Sequence, residues 1–495
     1  MATIASQLLW TKDSSGSAAG GAEVIAYDAA NKLVLVLGAD GVEALDAATG
    51  APRFALPSSA LGTLGTGNSV AVYGDVMAVA YDNATAGGNG TVAMYRIAAG
   101  GTGAELIRQV EVGAVPDMIT FTPDGTRLLV AIEGEPNDNY GVDASGDPVG
   151  GVSVIDVATG NNTFLGFEGF DTEALRAAGV RIEGVEGVTA ATDLEPEYIA
   201  VSADGSQAYI TLQENNAIAV LDLDTLEYQG VYALGTKDHS VEGNGLDTSD
   251  RDGGVNIGTA PVRGMYMPDG IATFETGGRT YLVTANEGDA SEWGDYNDVG
   301  RLANANLDLA TFGGAEGVAA LKNNAELGRL NISLVDGDTD GDGDIDVIHT
   351  LGARSFSIWE VTETGLTQTF DSGDMMERML LANRPDLLDD GRSDDKGPEP
   401  ESITLGTIDG QLYAFVALER SDAVMSFAIT SPSSAEYAGI IQTQDAPEVI
   451  HFVPAEDAPE GVDGPLLLSP AEGNGPPPPA PPSSPPSSTG WRTGR

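Results

Sequence analysis

Residues 194–225 read LEPEYIAVSADGSQAYITLQENNAIAVLDLDT, and the punctuation of that stretch decides the fold. Tyr198 to Ser202, Gln207 to Leu212 and Ala217 to Leu223 alternate, and the turn residues Ala203–Ser206 and Gln213–Asn216 interrupt them. Period-two runs bounded by Asp, Gly and Asn predict short antiparallel strands. The pattern returns as PDMITFTPDGTRLLVAIEGEPND from Pro116, continued after an insertion by GVSVIDVATG. It returns again as PDGIATFETGGRTYLVTANEGDA from Pro268 and PESITLGTIDGQLYAFVALERSDAVMSFAIT from Pro400. Weaker copies span Val24 to Gly50 and Ser69 to Ile97, and a partial one, PEVIHFVPAEDAPEGVDGPLLL, begins at Pro447. Units of three to four short strands, at roughly 40 residues or more each, predict a propeller rather than a sandwich. Seven such units predict an all-β, seven-bladed β-propeller over residues 1–468. Each blade needs its neighbours to bury its faces, so the seven form one domain.

The net charge is −52, from 23 basic and 75 acidic residues. Nucleic acid, whose binding depends on Lys and Arg neutralising phosphates, is excluded as a partner, and anionic membrane is disfavoured for the same reason. Such a charge suits solubility in a salty medium and also supplies hard oxygen ligands for Ca²⁺. There is no cysteine, which removes disulfides, zinc-thiolate sites and thiol nucleophiles. The first residues, MATIASQLLWTKDSSG, show no basic segment followed by a long apolar one, so no secretory signal is evident. No apolar run approaches the ~20 residues of a membrane span. A composition rich in Gly, Asp and Thr and poor in Lys nevertheless points outside the cell or to its surface. Residues 469–495 are a Pro/Ser-rich stretch that reads as a disordered tail or linker.

Several insertions interrupt the repeats. Glu135 to Val149 is a Gly/Asp loop, Thr172 to Ala178 is a short helix candidate, and Lys237 to Ile257 is a long polar loop. Residues 293–350 interrupt the fifth unit: 302–330 read as helical, and an acidic run from Asp336 to Asp346 follows. A last polar loop covers Asp389 to Ser402.

Two constellations carry chemistry. In the acidic run, Asp336, Asp338 and Asp340 with Gly341 give D-x-D-x-D-G, the front half of a calcium loop. A second register, Asp338, Asp340 and Asp342 with Gly343, fits equally well. Position nine is acidic in both (Asp344 or Asp346), while Val347 or His349 stands where an EF-hand has its bidentate Glu. The other constellation is repeated: four units open with an acid (Asp117, Glu197, Asp269, Glu401) and run through a hairpin into a glutamate (Glu133, Glu214, Glu287, Glu419). Equivalent positions of propeller blades face one end of the channel, where these acids and Glu135, Glu195 and Glu399 would converge. Carboxylates so crowded repel one another unless cations neutralise them, which points to a polynuclear metal site. Taken singly, each glutamate reads as strand-end turn chemistry. The companions are Asn137, Asn215, Asn216, Asn286, Arg354 and Arg420, with Lys237, His239 and Lys396 in the polar loops. Basic groups beside metals suit an anionic substrate oxygen, phosphate in particular. His451 follows the start of an apolar strand and reads as structural. No G-x-S-x-G, P-loop or H-E-x-x-H is present, so serine hydrolase, NTPase and zincin readings lack support.

As a set, VGAVPDMITFTPDGTRLLVAIEGEPND, DLEPEYIAVSADGSQAYITLQENNA, KDHSVEGNGLD, GDTDGDGDID, RSFSIWE and DDKGPEPESITLGTIDGQLYAFVALER resemble the choice-of-anchor I propeller family, across most of residues 20–468. That family is related to the mesenchyme-specific cell-surface glycoproteins. The resemblance implies a seven-bladed propeller of YVTN/WD40-like type, extracellular or surface-attached. Some members look like atypical bacterial alkaline phosphatases, and propeller alkaline phosphatases use Ca²⁺ and iron in the channel. One departure concerns the last unit, which in the family continues past the equivalent of Leu466–Leu468 to an S-N-E motif. Here SPAEGNGPPPP follows, with Glu472 and Asn474 as candidate replacements. An open edge there would favour association.

The reading is an extracellular phosphoric monoester hydrolase using Ca²⁺ with iron or another second metal. Glu133, Glu135, Glu195, Glu214, Asp269, Glu287, Glu399 and Glu419 are its expected ligands, and the acidic loop is a separate structural calcium site. Arg354 or Arg420 would stabilise phosphoryl charge, Glu197 or Glu401 would act as general base, and His239 would assist. The rival is a non-catalytic calcium-stabilised surface module that binds polysaccharide or protein. A lactonase-like hydrolase with a single channel calcium is a third reading.

Overall fold

The computed structural model describes residues 4–12, 22, 24–62, 64–136, 140, 146–182 and 184–470. Four sheets come first in the chain. The first holds β1 Val24–Asp28, β2 Leu33–Gly38, β3 Gly41–Asp46 and β4 Pro52–Pro57. The second holds β5 Leu64–Tyr73, β6 Val76–Asn83, β7 Asn89–Ile97 and β8 Ala104–Ala114. The third holds β9 Pro116–Phe121, β10 Arg127–Ile132, β11 Gly151–Asp156 and β12 Asn162–Gly166. After helices α1 Thr172–Ala177 and α2 Ala190–Asp193 comes the fourth, with β13 Pro196–Val201, β14 Gln207–Leu212, β15 Ala217–Asp222 and β16 Glu227–Ala233.

Strands β17 Thr236–Asp238 and β18 Val262–Met265 precede the fifth sheet, whose first pair is β19 Ile271–Thr276 and β20 Arg279–Asn286. The long insertion then contributes β21 Val299–Arg301, α3 Gly314–Leu321, β22 Asn331–Ser333 and β23 Ile348–Thr350. The fifth sheet resumes with β24 Ser355–Thr362 and β25 Gly365–Asp371, followed by α4 Met375–Asn383. The sixth sheet is β26 Pro400–Ile408, β27 Gln411–Leu418, β28 Ala423–Ser431 and β29 Ser434–Gln442, and a two-stranded β30 His451–Val453 and β31 Leu466–Leu468 ends the described fold. Every large sheet is an antiparallel meander in chain order.

The first strands lie side by side in succession: β1 against β5, then β9, β13, β19, β26 and β30, and β30 returns to β1. That is a β-propeller architecture. The repeat has a local cause as well as an apolar pattern. Asp124 accepts from Thr122 Oγ1 and from the Thr126 N–H, and Asp204 makes the same pair with Ser202 and Ser206. These Asx turns fix the hairpin between the first and second strands. After the third strand, Asp46, Asp156 and Asp222 each accept the N–H of a threonine three residues on: Thr49, Thr159 and Thr225. The middle strands are buried on both faces; Leu33, Leu35 and Leu37 are fully enclosed, as are Tyr209 and Phe356.

The helix expected at Thr172 forms, but 302–330 is helical only over α3 and a 3₁₀ turn at Leu302–Asn304. Asp308 accepts the N–H groups of Ala310 and Thr311, and Gly313 and Gly314 take positive φ just ahead of α3. Side-chain capping and left-handed glycines override the apolar spacing there. This insertion packs on its own core, where Leu302, Leu330, Ile332 and Ile348 meet Leu246 and Val262. No helix among the described residues is long and apolar enough to cross a membrane.

Beside the two-stranded unit, residues 4–12 bridge the sixth and first sheets. The Ile4 N–H reaches the Ala438 carbonyl, and the Trp10 indole N–H reaches the Ala47 carbonyl, both at 2.9 Å. Trp10 packs with Ile25, Val453 and Leu466. Glu472, Asn474 and most of the Pro/Ser-rich stretch lie outside the described residues.

Phe356 on β24 packs at a tilt against Phe427 of β28, with ring centroids 4.7 Å apart, and joins the fifth and sixth sheets. Phe356→Ala is expected to lower unfolding free energy by about 3–5 kcal/mol, the cost of emptying a large aromatic site in a close-packed core. A denaturant titration reads this as a lower midpoint with unchanged slope.

Candidate functional site

The acids gather because of strand direction. In an antiparallel pair, the start of the first strand lies beside the end of the second. Pro116 pairs with Ile132, Pro196 with Leu212, and Pro400 with Leu418, and each pairing is followed by the same register shift. The acid after each proline and the glutamate after the second strand therefore share one end of the sheet. The residue before the proline carries the strain: Val115, Met267, Glu399 and Ala446 all adopt φ between 43° and 52°. A left-handed, β-branched or bulky residue is unusual, and four at equivalent positions mark a specialised end of the fold.

Three acid triads result, and within each the ligand oxygens lie within 4.8 Å of one another. The first is Asp117, Glu133 and Glu197, the second Asp269, Glu287 and Glu401, and the third Glu287, Glu399 and Glu419. Glu195 and Glu214 flank the first triad, and Glu135 adjoins Glu133; their charges act on it directly. Among the described residues, Asp117, Glu133, Glu197, Asp269 and Glu401 form no ion pair with Lys, Arg or His, whereas the third triad is crossed by cations. Lys396 Nζ stands 2.6 Å from Glu287 Oε1, 3.5 Å from Asp289 and 3.4 Å from Glu399 Oε2. Arg392 binds Glu399, and Arg420 lies 2.8 Å from Glu419 and 3.4 Å from Glu399.

Although the first triad keeps partial access to solvent, the surrounding protein raises its proton affinities. Burial, then Glu135 and Asp82, push Asp117 up to about 7. Burial, then Asp289, push Glu214 up to about 8, and burial with Glu399 pushes Glu419 up to about 7. Glu133, Glu195, Glu197, Asp269 and Glu401 rise for the same reason, burial first and neighbouring carboxylates second. Lys396 goes the other way: burial alone would lower it, but Glu287, Asp289 and Glu399 outweigh burial and hold it protonated.

Other expected residues lie elsewhere. Arg354 is buried, and its guanidinium donates to the carbonyls of Asp247, Ser393 and Asp395 and to Glu377. It clamps loops to α4 and does not face the acids. His239 has Nδ1 2.7 Å from the Asn244 carbonyl, and its Nε2 faces Gly264; burial, then Lys237, push it down to about 3. Lys237 is equally enclosed, donating to the carbonyls of Ala353 and Gly373. Two of the amides serve the backbone, Asn215 receiving the Glu195 N–H and donating to the Asp193 carbonyl and Asn216 receiving the Met267 N–H, while Asn286 donates to the hydroxyls of Ser355 and Ser357. Asn137 lies outside the described residues. In the acidic loop, Asp336 is drawn away to Arg181 at 2.8 Å, and Asp338, Asp340 and Asp346 come together instead. Those are positions one, three and nine of the second register, while Asp342 and Asp344 stay outside the cluster.

The acids that escaped the sequence reading include Asp82 and Asp289, whose charges act on Asp117 and Glu214, and Glu448. Glu448 follows Pro447 and a left-handed Ala446, as Glu401 follows Pro400 and Glu399, and its charge acts on Asp269. The recurring Pro-acid dipeptide was the available signal.

The family described as Choice-of-anchor I domain matches residues 23–432. A "Mesenchyme-specific cell surface glycoprotein" of Strongylocentrotus purpuratus is 27% identical over 287 residues, 49% of this chain and 35% of that protein. "Gigasin-3a" of Magallana gigas is 27% identical over 127 residues, 23% of this chain and 44% of that protein. The chain thus spans less than half the length of either relative. Among solved structures, Kuenenia stuttgartiensis hydrazine synthase aligns at TM-score 0.45 and 11% identity, covering 92% of this chain and 96% of that one. The WD40 domain of Toxoplasma gondii coronin aligns at TM-score 0.42 and 9% identity, covering 91% and 81%.

The raised acids predict a pH-dependent stability. Asp117, Glu214 and Glu419 hold protons up to about 7, 8 and 7 in the fold, against ordinary values of 3.8 for Asp and 4.5 for Glu. The folded chain then binds more protons than the unfolded one between those limits, so stability falls as pH rises across the window. In chelator, the melting temperature is expected to fall from about pH 5 to pH 8. A flat profile by scanning calorimetry would show that the acids are not so crowded.

Proposed function

The chain belongs to the choice-of-anchor I domain family, and for this member we propose a seven-bladed surface propeller whose channel acids hold divalent cations and hydrolyse phosphate monoesters. The observation that carries the reading is the pair of triads, Asp117/Glu133/Glu197 and Asp269/Glu287/Glu401, with ligand oxygens within 4.8 Å. Five of those six acids have no basic partner among the described residues. Crowded, half-buried carboxylates without a counter-charge repel one another, and a hard divalent cation removes that cost while accepting oxygen ligands at such spacing. Calcium suits the all-oxygen donor set, and iron or another metal would be the second ion. The cell-surface name of the sea-urchin relative supports a surface location.

When bound, the cations supply a Lewis acid for a phosphoryl oxygen and an acidified water. The chain's own groups do the rest. Arg420 is partly exposed beside Glu419 and is placed to neutralise charge on a phosphoryl oxygen. Glu401, whose proton affinity is raised by burial and by Glu287, is the candidate to hold and return a proton when it is not itself bound to a cation. Arg354 and His239 take no part, being engaged elsewhere.

Elemental analysis of the purified chain, paired with p-nitrophenyl phosphate turnover at alkaline pH with and without Ca²⁺, tests the reading. Glu197→Gln is expected to lose bound metal and to lower turnover about 10²–10⁴-fold, the range for removing a group that acts in the chemical step. Unchanged turnover in that variant overturns the assignment. Bound calcium with no turnover by the wild type favours the second reading, a calcium-stabilised module that binds polysaccharide or protein, to which the relative's cell-surface name also points.

A further inference from the structure

The third triad differs from the first in already containing a positive charge, which the second meets only through the Glu287 it shares. Glu287, Glu399 and Glu419 are all buried, and Glu399 is fully enclosed. Glu399 Oε2 makes no hydrogen bond, and the nearest cationic nitrogens, Lys396 Nζ and Arg420 Nε, stand at 3.4 Å. This oxygen, aimed into the cluster and without a hydrogen bond, sits where a metal ligand would. Lys396 Nζ is the group that reaches both Glu287 and Glu399 from the same side. Gln213 holds the other oxygen of Glu287 at 3.0 Å, and Arg392 binds Glu399 Oε1. An ammonium with carboxylates at 2.6 and 3.4 Å imitates a bound ion with one charge instead of two.

We propose that Lys396 is an internal stand-in for a cation, occupying the third carboxylate site and limiting the channel to divalent ions at the first two triads. The proposal rests on the cation-binding reading above. It assigns Lys396 a specificity role: it sets how many ions the channel takes, and it leaves one ammonium beside Glu287, which the second and third triads share.

The test counts Ca²⁺ per chain by isothermal titration after chelator treatment, using the full chain. Lys396→Met is expected to bind one more Ca²⁺ than the wild type, and Lys396→Arg, which keeps the charge, to bind the wild-type number. Adding Glu399→Gln to Lys396→Met is expected to remove the extra ion. Melting temperatures of all three variants identify any that fail to fold, and Lys396→Arg keeps the comparison interpretable if Lys396→Met is unstable. An unchanged or lower count in folded Lys396→Met overturns the proposal. The two readings fail separately. A wild type with no channel calcium, shown by a count that Asp117→Asn and Glu197→Gln leave unchanged, sinks the functional reading, while a site gained in Lys396→Met still supports the role of Lys396.

Discussion

Antiparallel pairing of the first two strands in each sheet is the constraint on which the rest depends. Because Pro116 must lie opposite Ile132, Pro196 opposite Leu212 and Pro400 opposite Leu418, the acids beside those positions have no choice of end. Strand succession then brings neighbouring sheets' acids together, as with Asp117 and Glu197 from the third and fourth sheets. The fold does not tolerate this cluster passively. It places left-handed residues ahead of the prolines and draws the carboxylates partly out of solvent, both of which cost free energy at a site where packing alone would favour apolar side chains.

Two electrostatic solutions coexist within that end. Where acids come only from the repeats, proton affinity rises toward neutrality because burial and like charges act together. Where an inserted loop adds Arg392 and Lys396, the same chemistry becomes a salt-bridge network, and Glu399 can be fully enclosed. An ion pair of this kind is worth little for stability in its own right, but breaking it leaves a buried charge unpaired. The network therefore fixes where its members stand more than it strengthens the fold.

The propeller was legible because its signals are local: alternating strands, the Asx turns at Asp124 and Asp204, and the Asp-to-Thr turns at Asp46, Asp156 and Asp222 all appear as short-range patterns. The acid pairs were legible because they repeat. Arg354 and His239 were misplaced because their partners depend on tertiary packing. Arg354 is captured by carbonyls up to 107 residues away in sequence. The amides show the same limit in another form. Asn215 and Asn216 recur beside the acids, yet they satisfy the distant backbone N–H groups of Glu195 and Met267. The loop register was undecidable from spacing alone, since Arg181, 155 residues from Asp336, removes that aspartate from the cluster.

The misplaced arginine nonetheless explains how the two solutions are joined. Lys396 and Glu399 lie on a loop with little regular structure, and a loop left to itself could not hold an ammonium within 2.6 Å of Glu287. Arg354 donates to the carbonyls of Ser393 and Asp395 on one side of that loop, and to the Asp247 carbonyl and Glu377 on the other. Gly397, at positive φ, brings the chain close against the guanidinium, where an added Cβ would meet Arg354 Cδ at 3.0 Å. A planar group with five donors can bind several acceptors at once in a fixed geometry, which an ammonium cannot do. Arg354 thus reaches the acids through the loop it holds: the repeats supply most of the carboxylates, that loop supplies Arg392, Lys396 and Glu399, and this buried guanidinium sets the distance between them.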